Sequence, residues 1–434
     1  MRDYLFFNFL FENYIEYAIY TFIFAITIYF LCRRVVGYIL DPFHFYYTFT
    51  FSTSYAVIFL LYIHDYVLND YFFYLLLSNF CFFIFYVAFS KGLNNKGLFF
   101  KLCYSISNDE RFMLRLLILV YISMLTLYLS QVSLTSLFTS RFEANKGLGM
   151  IVRVMDALRL IIAAWLYLYF IRYGSKRSLF FAIIFSIVAT LFSGAKFALL
   201  EQMYVMFVAG FVGERNKIRL NIKTLILGVM LLFVLSLIVV NLILKMSSGI
   251  GYTESQYMPG APVALELFIM RIIANGDSYY LSLTERVLDS ISISSPVLQF
   301  LSNTFGNSVM SNVFNADFSN GDIGRQIWLY WYPDDEVMRG PTAHFDIAGF
   351  AYFGYVGGAI FSAIIGAWLG VINKWKFSCF KAPALVVAFV SAIYCRSLPL
   401  MLNPSVGFAY IVDIFFLLFV LLVVSTLCRK GMNS

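Results

Sequence analysis

Apolar runs long enough to cross a lipid bilayer recur along this chain, and that pattern decides most of what it can fold into. Crossing the hydrocarbon core takes about 20 helical residues. Inside it every backbone polar group must be satisfied by the protein itself, which leaves only helices or a closed barrel. The runs here are apolar on every face and lack the period-two alternation of barrel strands. Charged residues make up 13% of the chain and mean hydropathy is +0.80, whereas soluble domains carry about 25% charged residues. The expectation is an all-α, polytopic transmembrane protein of about eleven spans, within a range of roughly 10–12. They fall at 15–32, 43–63, 70–90, 112–134, 155–171, 178–194, 197–212, 224–244, 346–372, 383–402 and 405–427. The span at 197–212 is short and carries Glu201 and Gln202, so it reads as tilted or re-entrant. Residues 4–11 are too short to span and read as interfacial.

Basic residues orient the bundle, because cytoplasmic loops carry an excess of Lys and Arg. If alternate connections are assigned to one side, that side collects nineteen of the 31 basic residues in short loops. This puts the N-terminus outside and the C-terminus in the cytoplasm. It also explains the net charge of +7 without nucleic acid. The chain then divides into N-terminal membrane helices (1–245), a large outer loop (246–345) and C-terminal membrane helices (346–434). A connection of about 100 residues far exceeds the usual few. Its aromatics, its apolar stretch at 262–274 and the cluster Trp328, Tyr330, Trp331, Tyr332 argue for an ordered loop containing short helices. The six cysteines avoid that loop, so no structural disulfide or cysteine metal site is expected. The N-terminus lacks the charged, apolar and small-residue sections of a cleaved signal. No internal repeat is visible, which counts against a transporter built from duplicated halves.

Three constellations bear on chemistry. Residues 339–368 place Arg339, His344 and Asp346 at the expected outer mouth of a helix that continues through Gly349, Gly354, Gly357 and Gly358. The competing reading is a packing helix with solvated polar residues at its start. Basic residues facing outward form the second group: Arg141, Arg153, Lys196, Arg271, Arg325, Arg339 and Arg396. A guanidinium fork matches phosphate oxygens bidentately, although each of these residues can equally pair with a local acid, as Arg153, Asp156 and Arg159 do on paper. Arg396 stands out because a cation within a span is costly and requires a partner or ligand. The same holds for Glu201, with Lys196 a nearby partner, and for Asp413, which has no sequence-local partner. The run Asp334, Asp335, Glu336 reads more readily as a solvated face than as a cation site. No nucleotide-loop, HExxH or dinucleotide fingerprint is present.

The many spans, the late outer loop, the Pro/His/Asp mouth and the stretch Tyr-Phe-Gly-Tyr-Val-Gly-Gly at 352–358 together resemble bacterial O-antigen polymerases. They also resemble the related O-antigen ligases. The Ser-Gly-Ala-Lys stretch at 193–196 resembles these families' small-residue turn before a basic residue. The resemblance implies a glycosyltransferase of the bacterial inner membrane that joins undecaprenyl-diphosphate-linked oligosaccharide repeat units at the periplasmic face. Transfer would be inverting and would need no metal or other cofactor. His344 and Asp346 would supply the base, and the outer basic residues would hold the diphosphate or glycan. Membrane lipids are implied partners, together with a chain-length regulator protein. A ligase, or a flippase for the same lipid-linked units, is the alternative.

Overall fold

The computed structural model describes the chain except for residues 1–2, 92–96, 133–146, 194–197, 215–254, 294, 316–317, 319–320, 337–338 and 433–434. Among the described residues the secondary structure is helical, with no strand. In chain order the first nine helices are α1 (Asp3–Glu12), α2 (Tyr14–Val36), α3 (Thr50–Ile63), α4 (Asn69–Ser90), α5 (Leu98–Ile106), α6 (Glu110–Gln131), α7 (Gly149–Tyr173), α8 (Lys176–Leu191) and α9 (Ala198–Gly213). A π-helical turn, His44–Phe49, leads into α3. Six short helices follow: α10 (Val263–Ile273), α11 (Asp277–Leu283), α12 (Val287–Ser290), α13 (Pro296–Phe305), α14 (Asn307–Phe314) and α15 (Ile323–Trp331). The last three are α16 (Phe345–Phe377), α17 (Ala384–Ser397) and α18 (Pro404–Met432).

Eight described helical stretches are long and apolar enough to cross a membrane. The expected spans at 178–194 and 197–212 correspond to α8 and α9, each 16 residues long. That length reaches about 24 Å, somewhat short of a hydrocarbon core of about 30 Å. The expected span at 224–244 lies outside the described residues. Burial separates the lipid-facing helices from the central ones. The apolar window of α2 is 17% buried, and Phe22, Ile23 and Phe30 point outward, whereas Ala384–Met401 is 94% buried and forms the middle of the bundle.

Lipid offers no hydrophobic drive between helices, so small residues and polar contacts must bring them together. This is how α16 meets α4. A Cβ at Gly366 would lie 2.2 Å from the Phe82 carbonyl oxygen, and one at Gly370 would lie 2.6 Å from that of Tyr86. Only glycine permits this approach. One turn before Gly366, Ser362 and Ser78 share a 2.6 Å hydrogen bond.

The N-terminal part of α16 departs from a simple span. Its 33 residues would measure about 50 Å if straight, but Gly354 breaks the helix at φ +68° and ψ −162°. Gly349 and Gly358 would stand roughly 13 Å apart in an unbroken helix. Instead a Cβ on Gly349 would sit 3.2 Å from Gly358 Cα, and both glycines abut the Tyr74 hydroxyl. Residues 345–353 therefore fold back along 355–377 as a half-helix whose N-terminus points into the bundle. Phe345 stacks on Phe82 at 4.7 Å, and the Asp346 side chain meets Asn79. Asn79 is the eleventh residue of α4, about 15 Å along that helix. His344 and Asp346 thus lie near mid-depth of α4 rather than at its mouth. The Gly354 break, which the sequence pattern did not reveal as a reversal, is the reason.

The long segment packs onto the bundle. Ser54 in α3 donates to the Asn275 carbonyl at 3.0 Å, and Gly276 lies against Val57. Helix α1 is also folded in, with Phe6 and Phe9 packed near Tyr280. The start of α11 is thereby lowered between the helices, carrying Tyr279 to the end of the half-helix.

Candidate functional site

Six side chains from four elements meet at the half-helix N-terminus. Asp346 is fully buried and His344 nearly so. The Tyr279 hydroxyl lies 2.9 Å from both Asp346 carboxylate oxygens and 3.0 Å from His344 Nδ1. Asn79 donates to Asp346 Oδ2 at 3.1 Å, and the Ile347 amide donates to Oδ1 at 2.9 Å. Tyr55 in turn donates to the Asn79 side-chain oxygen Oδ1, and Tyr74 donates to the Asp346 main-chain carbonyl at 2.8 Å. Among the described residues, the Asp346 carboxylate thus accepts bonds only from neutral donors, at the positive end of a helix dipole, which favours negative charge there. His344 occupies the N-cap position, and its ring packs 4.9 Å from Phe51. Phe51 on one side and α11 on the other cover the pair.

A second polar cluster joins α7, α9, α17 and α18. Arg159, buried within α7, reaches Asp156 at 2.8 Å, Glu201 at 2.6 Å and the Ala198 carbonyl at 2.6 Å. Arg396 faces Glu201 at 3.2 Å and Asp156 at 3.8 Å, with its guanidinium 4.4 Å from the centre of the Tyr410 ring. Arg153 pairs with Asp413 at 3.3 Å and also donates to the carbonyls of Asn303 and Thr304 in α13. Among the described residues, three guanidiniums thus stand against three carboxylates. Removing such charges from lipid is costly unless they are paired, and this balance satisfies that requirement. The pairing differs from the expected triad: Arg159 takes Asp156, while Arg153 takes Asp413. Arg159 and Arg396 also supply the partners of Glu201.

The remaining basic candidates lie apart from both clusters. Arg325 is buried and braces its own loop by donating to the Asp335 carbonyl. Arg339 is exposed, bonds Asp335 at 2.7 Å and lies over Trp328. Trp328 donates to the same Asp335 carboxylate at 2.7 Å, so this member of the acidic run fastens the segment entering the half-helix. Arg271 is exposed in the last turn of α10. Arg141 and Lys196 lie outside the described residues.

Tyr279, Tyr74 and Tyr55 were not singled out by the sequence. Each is one tyrosine among 31, and nothing local marks it. Asn79 left a faint signal, as a lone amide in an otherwise apolar span. The ion pair of Asp41 with Lys376 was also missed: the two stand 2.5 Å apart and fully buried, with Tyr394 donating to Asp41 at 2.5 Å. Lys376 counts among the cytoplasmic loop residues on sequence grounds, yet its position in the last turn of α16 turns it inward.

The fold and these buried polar clusters define the class: this is an α-helical membrane protein with several apolar membrane-crossing helices. Comparison with protein families, curated proteins and solved structures finds no match.

Proposed function

We propose that this protein is a glycosyltransferase of the bacterial inner membrane, polymerising undecaprenyl-diphosphate-linked oligosaccharide repeat units at the periplasmic face. One observation carries the reading. The stretch that bears the family resemblance, 339–358, builds the half-helix and brings His344 and Asp346 into one hydrogen-bonded cluster. Inverting transfer needs a base at the attacking hydroxyl and stabilisation of the charge that develops on the leaving group. In the proposed reaction a sugar hydroxyl of one unit loses its proton to this cluster and attacks the anomeric carbon of the other. The bond to diphosphate breaks, and undecaprenyl diphosphate leaves. Arg271 and Arg339, exposed on the long segment, suit the diphosphate, with Arg141 and Lys196 as further candidates. Arg153 and Arg396 sit in a balanced network and act chiefly as scaffold charges. The cluster is covered by α11, so acceptor entry requires that helix to move aside.

A flippase for the same units is the second reading. Transporters also set half-helix ends and ion networks at mid-membrane, which favours it. Deletion in a host that makes a surface polysaccharide separates the readings. Loss of a polymerase leaves a single repeat unit on the acceptor, loss of a ligase leaves none, and loss of a flippase traps units on the cytoplasmic side. A deletion strain with an unchanged polysaccharide ladder would remove all three.

A further inference from the structure

Tyr279 stands between the two groups proposed as base, and its single hydroxyl proton can face only one of them at a time. When it points to the Asp346 carboxylate, the Tyr279 oxygen must accept from His344 Nδ1–H, which leaves Nε2 as the free lone pair. When it points to His344 Nδ1, Asp346 must carry a proton and donate to Tyr279, and His344 then holds its hydrogen on Nε2. Distances of 2.9 and 3.0 Å fit both arrangements. The two differ by one proton and one tautomer.

We infer that His344, Tyr279 and Asp346 form a proton relay in which a proton taken up at His344 Nε2 is stored on Asp346. The balance is complete. Nε2 gains the incoming proton, Nδ1 passes its own to the Tyr279 oxygen, and the Tyr279 hydroxyl passes its proton to the carboxylate. Imidazole and tyrosine end neutral, and the negative charge of Asp346 is discharged. Burial gives the reason: an imidazolium formed in this apolar setting is costly, whereas protonating the buried carboxylate removes a charge. Among the described residues, every group facing Asp346 is neutral in its ordinary form: Tyr47 and Tyr55 from the α3 side, Tyr74 and Asn79 from α4, and Tyr279 from α11. His344 faces Phe51 and Tyr279. No neighbouring cation among these competes for the negative charge.

The relay deepens the glycosyltransferase reading and rests on it only for the source of the proton, the acceptor hydroxyl. It makes Tyr279 a positioning residue supplied by the long segment. It also joins His344 and Asp346 as receiving and storing ends of one device.

Histidine nitrogen NMR on the full chain tests this without any activity, since only His44 and His64 accompany His344 and substituting each in turn assigns the signals. On acidification His344 is expected to change from the Nδ1–H to the Nε2–H tautomer without becoming an imidazolium. Tyr279→Phe keeps the ring packing and is expected to abolish the change, as is Asp346→Asn. An imidazolium in the wild type, an unchanging tautomer, or a switch that survives Tyr279→Phe overturns the relay. With a defined lipid-linked unit as substrate, Tyr279→Phe is expected to lower kcat about 100-fold at constant KM, and adding Asp346→Asn should cost little more. Normal elongation by a Tyr279→Phe protein that has lost the switch also overturns it. If the wild type never elongates, the glycosyltransferase reading fails and the NMR result alone decides the relay.

Discussion

Gly358→Ala tests the fold-back and the site together. The added Cβ would lie 2.3 Å from the Tyr74 hydroxyl, 2.8 Å from the Gly349 carbonyl carbon and 2.9 Å from its oxygen. The hydroxyl cannot swing away freely, because it is bonded to the Asp346 carbonyl at 2.8 Å. The Gly349 atoms are backbone and move only with the half-helix. That helix must retreat by roughly 0.6 Å to reach ordinary contact with the new methyl group, and Asp346, three residues earlier, moves with it. Overpacking of this kind costs about 1–3 kcal/mol, and misplacing a reacting group by about 1 Å can cost 100-fold in rate. The expected outcome is a protein that still inserts and melts somewhat lower, yet elongates a defined lipid-linked unit about 100-fold more slowly. Thermal unfolding in detergent and single-turnover elongation measure the two effects. Gly354→Ala is the control, since a Cβ there meets nothing within 4 Å and only the +68° φ resists it, a strain of about 1–3 kcal/mol. A Gly358→Ala protein with wild-type melting and wild-type rate would refute the close antiparallel packing.

Further outcomes follow from the other clusters. Lys376→Met strands the buried Asp41 charge and is expected to destabilise by about 3–5 kcal/mol; adding Asp41→Asn should recover much of that loss in the same melting assay. Arg396→Ala unbalances the network with Glu201 and Asp156 and should reduce the amount of folded protein in the membrane, whereas a variant with normal abundance and a normal polysaccharide ladder would rule out any such role. Alkaline-phosphatase fusions near residue 300 should be active and those near residue 220 inactive, as positive-inside orientation requires; the reverse would invert the bundle.

The class of fold was legible because lipid solvent imposes a coarse rule that any apolar run of sufficient length obeys. The site was legible only in part. His344 and Asp346 stood out beside a glycine-rich stretch, but Gly354 looked like one more packing glycine. A positive φ leaves no trace in composition, so the reversal that carries the pair inward was invisible. The pairing of Arg153 with Asp413 spans 260 positions, a separation at which sequence spacing says nothing. Local spacing offered Lys196, outside the described residues, as a partner of Glu201, and it gave no sign that tertiary packing also brings Arg159 and Arg396 to that carboxylate.

The fold-back at Gly354 also constrains the order of assembly. Residues 345–353 start near mid-depth of α4 and run back toward its beginning before the turn at Gly354, so they cannot enter the bilayer as an independent span. Their N-terminus is tolerable there only once protein surrounds it, since unpaired backbone groups are not accommodated in lipid. Helices α3 and α4 must therefore be in place before the half-helix settles, and α11 must close over it with Tyr279. The cluster of His344, Tyr279 and Asp346 can thus close only after several helices of the bundle are in place. A product that stops short of residue 358 would carry most of its helices and still lack the packing of Gly349 on Gly358.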